Sequence, residues 1–241
     1  EGMELAAIAS RDIEKASITA KKFSIPLATS YDELISCQSI DIIYMPLPTG
    51  LHLKWGKKCL EAGKHVLFEK SLGVDSCEVE QLIDLARKKN LLIDENYMFV
   101  HHAQQQVLKE LFFKIGTIRS FTASFGFPPL SYDNFRYNKK LGGGALLDAG
   151  GYVIKVLDAL FPDSTVEIYN SNLTFSNGID IAGSIYASLD HQGYKVPCFL
   201  AFGFDNFYKC GVEIWGSKGL ISTNRTFTAG PDVEPEIRIT T

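Results

Sequence analysis

The feature that most constrains this chain is the alternation, over its first hundred residues, of short apolar runs with amphipathic helical stretches. Apolar runs lie at residues 5–9, 41–46, 65–69 and 91–96, and helical periodicity at about 12–23, 31–36, 51–62 and 76–89. The runs show little inward–outward alternation, as strands of a parallel sheet covered on both faces require. Strand–helix alternation at this spacing predicts a doubly wound α/β domain of the dinucleotide-binding, Rossmann type, over residues 1–97.

Beyond that point the pattern changes. A helix at about 102–113 precedes residues 117–125, which alternate as a half-buried strand does. A polar, aromatic loop follows, then a glycine-rich start to a helix over 142–161. Strand-like runs at 165–175, 183–189, 196–204, 210–215 and 220–223 complete the chain. They predict an α+β domain over 98–241 with a mainly antiparallel, open sheet. One face is expected to carry helices, including 144–161, and the other to be apolar enough to pair subunits in a homo-oligomer.

Composition excludes several classes of function. With 46% hydrophobic and 22% charged residues and a net charge of −4, the chain is ordinary globular protein. No Lys/Arg run interleaves with aromatics, so no nucleic-acid partner is expected. The five cysteines are widely spaced, with no pair at zinc-ligand spacing, so no metal site is expected. They read as buried, reduced thiols, which points to the cytoplasm. No apolar stretch reaches membrane-spanning length, and no signal-peptide pattern opens the chain.

Three places hold residues suited to chemistry. Ser10-Arg11 follows the first apolar run, where an acidic residue would bond the ribose 2′-OH of NAD. An arginine there suits the 2′-phosphate of NADP through its fork of donors, with Ser10 adding a hydroxyl and Lys15 a charge. The alternative is that Ser10 or Asp12 caps the helix and Arg11 is a solvated surface residue. The phosphate-binding glycine turn, about 20 residues earlier in such folds, would fall before Glu1, so the chain is expected to start inside the domain. Glu69-Lys70 closes the third run, at the strand end where open α/β sheets bind ligands. A lysine there stabilises negative charge on a substrate oxygen, unless it is simply an exposed strand terminus.

The third place is Gly142-Gly-Gly-Ala-Leu-Leu-Asp148-Ala-Gly-Gly-Tyr152. Asp148 and Tyr152 stand four apart and share one helix face, behind glycines that allow backbone and ligand to approach closely. Tyr152 would give a proton to a carbonyl oxygen while Lys70 lowers its pKa, or else Tyr152 is a core tyrosine. His52, after Pro48-Thr49-Gly50, opens a helix beside the expected crevice and is a candidate to line it. His101, His102 and His191 read as surface or satisfied histidines.

Taken in order, these segments resemble the Gfo/Idh/MocA family, the glucose–fructose oxidoreductase and inositol dehydrogenase group. The resemblance rests on Ser10-Arg-Asp-Ile-Glu-Lys-Ala16, Tyr31-Asp-Glu-Leu34, Pro48-Thr-Gly-Leu-His52, Leu60-Glu-Ala-Gly-Lys-His-Val66, Glu69-Lys-Ser71 and residues 142–152. Further likeness to the nucleotide-hexose 3-ketoreductase branch lies in Asn134-Phe-Arg-Tyr137, Phe202-Gly-Phe-Asp-Asn-Phe-Tyr208, Glu213-Ile-Trp-Gly-Ser-Lys-Gly219 and Asn224-Arg-Thr-Phe-Thr228. The resemblance implies an N-terminal Rossmann domain and a C-terminal domain whose open sheet forms subunit contacts. It implies Lys70, Asp148 and Tyr152 as the catalytic group. It also implies a cofactor site including Ser10, Arg11, Lys15, Pro48, Thr49, His52, Glu69 and Lys70, with NADP(H) preferred and NAD(H) the alternative. The implied reaction is reduction of a ketone on a nucleotide-linked 3-keto-deoxyhexose. A dehydrogenase of a free sugar or trans-dihydrodiol, or an inactive nucleotide- or sugar-binding relative, are the other readings. Ser71 replaces the family motif's proline, so a cis peptide after Lys70 is not to be assumed from the resemblance. The family's final helix is expected to lie beyond Thr241.

Overall fold

In the computed structural model, which describes residues 2–230 and 232–241, side-chain oxygens start three of the four α-helices of the N-terminal half. Strand β1 (Ala7–Ala9) leads to α1 (Ile13–Phe23), capped by Asp12 Oδ1 on the N–H groups of Glu14 and Lys15. Strand β2 (Leu27–Thr29) precedes α2 (Tyr31–Ser36), which opens with a reciprocal capping box between Ser30 and Glu33. Then come β3 (Ile42–Met45), a 3₁₀ turn at Thr49–Leu51, α3 (His52–Glu61) and β4 (His65–Glu69). Helix α4 (Ser76–Lys89), capped by Asp75, and β5 (Ile93–Asn96) complete the series.

These elements belong to one of two compact units, Glu1–Leu47 with Leu51–Asn96; the other is Pro48–Gly50 with Tyr97–Thr241. All strand pairing in the first unit is parallel, β1 with β2 and β3 with β4 with β5. Strand β2 escaped the sequence pattern. It is three residues long, directly after Pro26, and takes its form from pairing with β1 rather than from an apolar run. The first unit's core centres on Leu60, Phe68 and Leu82, all fully buried.

The second unit begins with α5 (Ala103–Ile115) and β6 (Ile118–Gly126). A π-helical turn, Leu146–Gly150, runs straight into α6 (Gly151–Leu160). Five strands follow: β7 (Thr165–Ser176), β8 (Ile179–His191), β9 (Tyr194–Gly203), β10 (Lys209–Gly216) and β11 (Leu220–Thr223). Strand β12 (Ile237–Thr240), which the sequence pattern did not reveal, pairs with β11 at the sheet edge. The sheet order is β12-β11-β10-β6-β9-β8-β7, antiparallel except for the parallel pair β6–β9. The hairpin turns Asn177-Gly178 and Gln192-Gly193 have positive φ at both residues, matching strand twist, and let β7, β8 and β9 run longer than periodicity suggested.

Alternation decides the faces of this sheet. Phe121, Ala123 and Phe125 are buried against Val153, Val156 and Leu157 of α6, whereas Thr122 and Ser124 point the other way. On that open face Tyr186 stacks on Phe199 at 5.2 Å, and Tyr169 and Trp215 are exposed. A hollow of about 430 Å³, lined in part by Ser124, Asn172, Ser184 and Ala201, opens on the same face.

All five cysteines are free, as expected, but Cys77 is exposed and Cys37 half-buried, so only Cys59, Cys198 and Cys210 fit the buried reading. Cys77 stands in the exposed first turn of α4 and has no core to face. Among the described residues no helix is long and apolar enough to cross a membrane.

Gly56 of α3 generates a test of the first unit's packing. A Cβ there would lie 2.6 Å from the Phe68 ring and 2.9 Å from Leu82, both fully buried. Alanine is the better helix former by about 1 kcal/mol, but overpacking a filled core costs about 1–3 kcal/mol. Gly56→Ala is therefore expected to lower the urea midpoint despite its helix propensity; a raised midpoint would show that the core yields.

Candidate active site

Ser10 and Arg11 lie directly after β1, as the sequence placed them. Ser10 Oγ accepts the Asp12 N–H at 3.2 Å, and its own N–H donates to Thr29 O. Asp12 spends its carboxylate on the start of α1, so it presents no acid to a ribose. Lys15 approaches Asp12 at 3.8 Å, with 79% of its side chain exposed. Arg11 is exposed and has no carboxylate partner among the described residues. Capping and a free cation thus coexist, and the two alternatives for this segment were not exclusive.

At the end of β4 the Glu69 carboxylate is engaged. Its Oε1 accepts the Tyr44 hydroxyl at 2.6 Å and Asn96 Nδ2 at 2.8 Å, tying β4 to the neighbouring strands β3 and β5. Burial, reinforced by Glu69, pushes the Tyr44 hydroxyl up to about 12. Glu69 is thereby a clamp across three strand ends rather than an open ligand group. Lys70, half-buried, follows at the strand terminus. The Lys70–Ser71 peptide, whose isomer the sequence left open, is cis although its second residue is not proline. Contacts distant in sequence hold the segment: the His52 ring takes Ser71 O, and Leu72 N donates to Glu95 Oε1 at 2.7 Å.

His52 does not line an open crevice. It is fully buried, with Nδ1 2.9 Å from Ser71 O and Nε2 2.8 Å from Leu47 O. Burial drives its pKa down while the two carbonyls favour a proton; burial prevails, so a neutral ring donates to one of them. Its place is behind the Lys70 turn, positioning backbone. Pro48 is half-buried and Thr49 buried, and neither side chain is laid open at the surface.

In the second unit the helix bearing Asp148 and Tyr152 begins later than the glycines suggested. Gly142, Gly143 and Gly144 precede it in a loop, and Asp180 of β8 accepts the Leu146 N–H at 2.6 Å. The glycines face protein, not ligand. A side chain at Gly143 would strike the Arg136 carbonyl, and one at Gly144 (φ 127°) would strike the Asp180 carboxylate. Gly50 likewise admits the backbone of Lys140 and Leu141. The first turn is π-helical, with i→i+5 spacing, a form that concentrates at functional sites.

That turn presents Asp148 to Arg136, whose Nε donates to Asp148 Oδ2 at 2.6 Å, both side chains largely buried. A carboxylate held on a guanidinium accepts hydrogen bonds and does not serve as an acid. Tyr152, half-buried at the start of α6, is walled by Tyr97, Phe99, Phe125 and Phe227, with ring centroids 5.0–5.8 Å away. Arg136 and Asp180 were not singled out from sequence as site residues. Arg136 lies in a segment noted only for likeness, and Asp180 sits among strand residues with no local signal. The structure thus groups His52, Glu69 and Lys70 in one unit and Asp148, Tyr152 and Arg136 in the other.

Comparison with known proteins bears on both groups. Residues 1–97 match the model of an oxidoreductase family with an NAD-binding Rossmann fold, and residues 113–222 match the GFO/IDH/MocA C-terminal domain. The dTDP-3,4-didehydro-2,6-dideoxy-alpha-D-glucose 3-reductase of Saccharopolyspora spinosa is 41% identical over 239 residues, covering 98% of this chain and 71% of that protein. The solved 3-ketoreductase KijD10 of Actinomadura kijaniata, in complex with NADP and TDP-benzene, aligns with a TM-score of 0.90 at 35% identity, covering 98% of this chain and 73% of its own. A trans-1,2-dihydrobenzene-1,2-diol dehydrogenase from Xenopus laevis is 35% identical, over 90% of this chain and 66% of that protein.

The buried His52 carries a pH signature. Its folded-state pKa lies below the ordinary imidazole value of 6.5, so the unfolded chain takes the proton first. Stability is expected to be full above that value and to fall as pH drops below it, until the folded ring also protonates. Urea denaturation between pH 7.5 and 5 should show this loss, and His52→Gln should flatten it; an unchanged slope in the variant would count against a neutral, buried ring.

Proposed function

The chain belongs to the Gfo/Idh/MocA oxidoreductase family, and we propose that it is an NADP(H)-dependent ketoreductase acting on a nucleotide-linked 3-keto-deoxyhexose. The observation that carries the catalytic assignment is the Arg136–Asp148 bond: with the carboxylate so engaged, Tyr152 is left as the acid of its group.

The donor set after β1 fits the cofactor. A 2′-phosphate needs a cation and hydroxyls and is repelled by a free acid. Arg11 is exposed, Ser10 adjoins it, and the nearby Asp12 is turned into the helix start. When bound, NADPH supplies the reducing equivalent. The residues supply the rest. Lys70, at the strand end, stabilises negative charge developing on the carbonyl oxygen, and Tyr152 delivers the proton that completes the alcohol. Asp148, fixed by Arg136, accepts from a substrate hydroxyl and sets the sugar's orientation. Glu69 and His52 position the Lys70 turn. The reading as a sugar ketoreductase, rather than a dihydrodiol dehydrogenase, is supported by the higher identity and coverage of the Saccharopolyspora spinosa 3-reductase. The free thiols support a cytoplasmic placement.

The second unit's open sheet face is proposed to pair subunits, since Tyr169, Tyr186, Phe199 and Trp215 expose apolar area there. A single species of monomer mass in sedimentation at micromolar concentrations would refute it. Reduction of nucleotide-linked ketosugars, set against oxidation of free sugars and dihydrodiols with both cofactors, tests the activity itself. Arg11→Ala is expected to weaken NADPH far more than NADH, and equal losses would remove the 2′-phosphate assignment. Tyr152→Phe is expected to cut turnover by about two to four powers of ten, the usual range for losing a positioned acid. Cofactor binding should survive that change; turnover within threefold of the parent would reassign the acid.

A further inference from the structure

The segment 224–228, after β11, is held from two sides by its backbone. From α5, the buried Gln104 donates Nε2 to the carbonyls of Arg225 at 3.1 Å and Thr226 at 3.2 Å, and Gln105 Nε2 reaches Thr226 O at 3.5 Å. From β10, Cys210 O accepts the Thr226 N–H at 3.2 Å and Cys210 Sγ the Phe227 N–H at 3.4 Å. A loop so tied presents its side chains in fixed directions.

Two of them concern the reaction. Phe227 packs its ring 5.8 Å from that of Tyr152. Arg225, two residues earlier and so within about 7 Å along the backbone, lies half-buried with its guanidinium carbon 4.5 Å from the Tyr208 ring centroid. Its Nη1 donates to the Tyr208 hydroxyl at 2.6 Å, and that oxygen also meets Thr228 Oγ1 at 2.7 Å. A guanidinium carries five N–H donors. Among the described residues Arg225 has no carboxylate partner and no other acceptor for the rest. A purely structural arginine has its donors engaged, and a purely solvated one is not stacked and bonded in place. Arg225 is oriented yet unspent, the condition under which a planar fork recognises a phosphate.

We propose that Arg225, stacked on Tyr208, binds the diphosphate of a nucleotide-linked sugar whose reacting ring lies against Tyr152. This rests on the reading under Proposed function and deepens it. A sugar joined through its anomeric carbon to a diphosphate carries its anionic charge one sugar ring away from the ketone. A free sugar or dihydrodiol offers no anion there, so Arg225 is the residue that selects the nucleotide-linked substrate.

Titration calorimetry of the chain with thymidine diphosphate tests this in the parent, Arg225→Gln and Arg225→Lys, with circular dichroism to establish folding. The parent is expected to bind, Arg225→Gln to bind about ten- to a hundredfold more weakly, the usual effect of losing charge-assisted bonds, and Arg225→Lys to fall between. A parent that does not bind the diphosphate overturns the nucleotide-sugar reading and this proposal with it. Equal binding by parent and folded Arg225→Gln overturns this proposal alone. Should Arg225→Gln fail to fold, Tyr208→Phe decides, since it keeps the ring and removes the oxygen that aims the guanidinium. Severalfold weaker binding supports the proposal, and unchanged binding overturns it.

Discussion

The helix that carries Asp148 and Tyr152 starts on a bond made from outside it, the Asp180 carboxylate on the Leu146 N–H. A helix N-terminus offers unpaired N–H groups and partial positive charge, and a carboxylate answers both. The same carboxylate fills the space over Gly144, so the loop before the helix must be glycine to pass beneath it. This sets where the first turn begins and, through the π turn, where Asp148 points. Once Asp148 meets Arg136, the division of labour between carboxylate and phenol follows from electrostatics. A change at Asp180, which itself touches no proposed substrate, would be felt at both residues.

Three arginines illustrate how placement, not residue type, assigns work. Arg136 is largely buried and committed to Asp148, so its charge is spent inside the protein. Arg11 is exposed beside a helix start whose acid is already engaged, the setting on which its proposed role toward a 2′-phosphate rests. Arg225 lies between these extremes, oriented by Tyr208 with donors to spare. The carboxylates divide likewise. Glu69 binds strand ends together, Asp12 caps a helix, and Asp148 and Asp180 organise one helix from its two sides.

The buried support of the Lys70 turn is a second case of structure made at a distance. His52 arrives from α3, Glu95 from β5, and each holds a backbone group within two residues of the Lys70–Ser71 peptide. Position 71 lacks the family motif's proline, and the Lys70–Ser71 peptide is cis all the same. Its place after Pro48-Thr49-Gly50 makes His52 a candidate to line the crevice, whereas its burial puts it in the scaffold.

Sequence alone determined the layering of this protein, because apolar periodicity reports which faces leave water. Runs without alternation marked parallel strands, although β3 and β4 are not covered on both faces as expected, with Ile42 and Tyr44 exposed, and runs with alternation marked the half-open sheet of β6 to β11. It also determined which side chains were chemically able to act: a lysine at a strand end, an aspartate and a tyrosine one helical turn apart, an arginine where an acid would otherwise stand. Tertiary structure decided what each was free to do. That Asp148 is bound to Arg136, that the Leu146 N–H is held by Asp180, and that His52 is enclosed are facts about partners 12, 34 and 19 residues away. The short strands β2 and β12 belong to the same class, since each exists only by pairing with a neighbour. Periodicity is written along the chain, whereas the saturation of a charge or a hydrogen bond depends on what folding brings beside it.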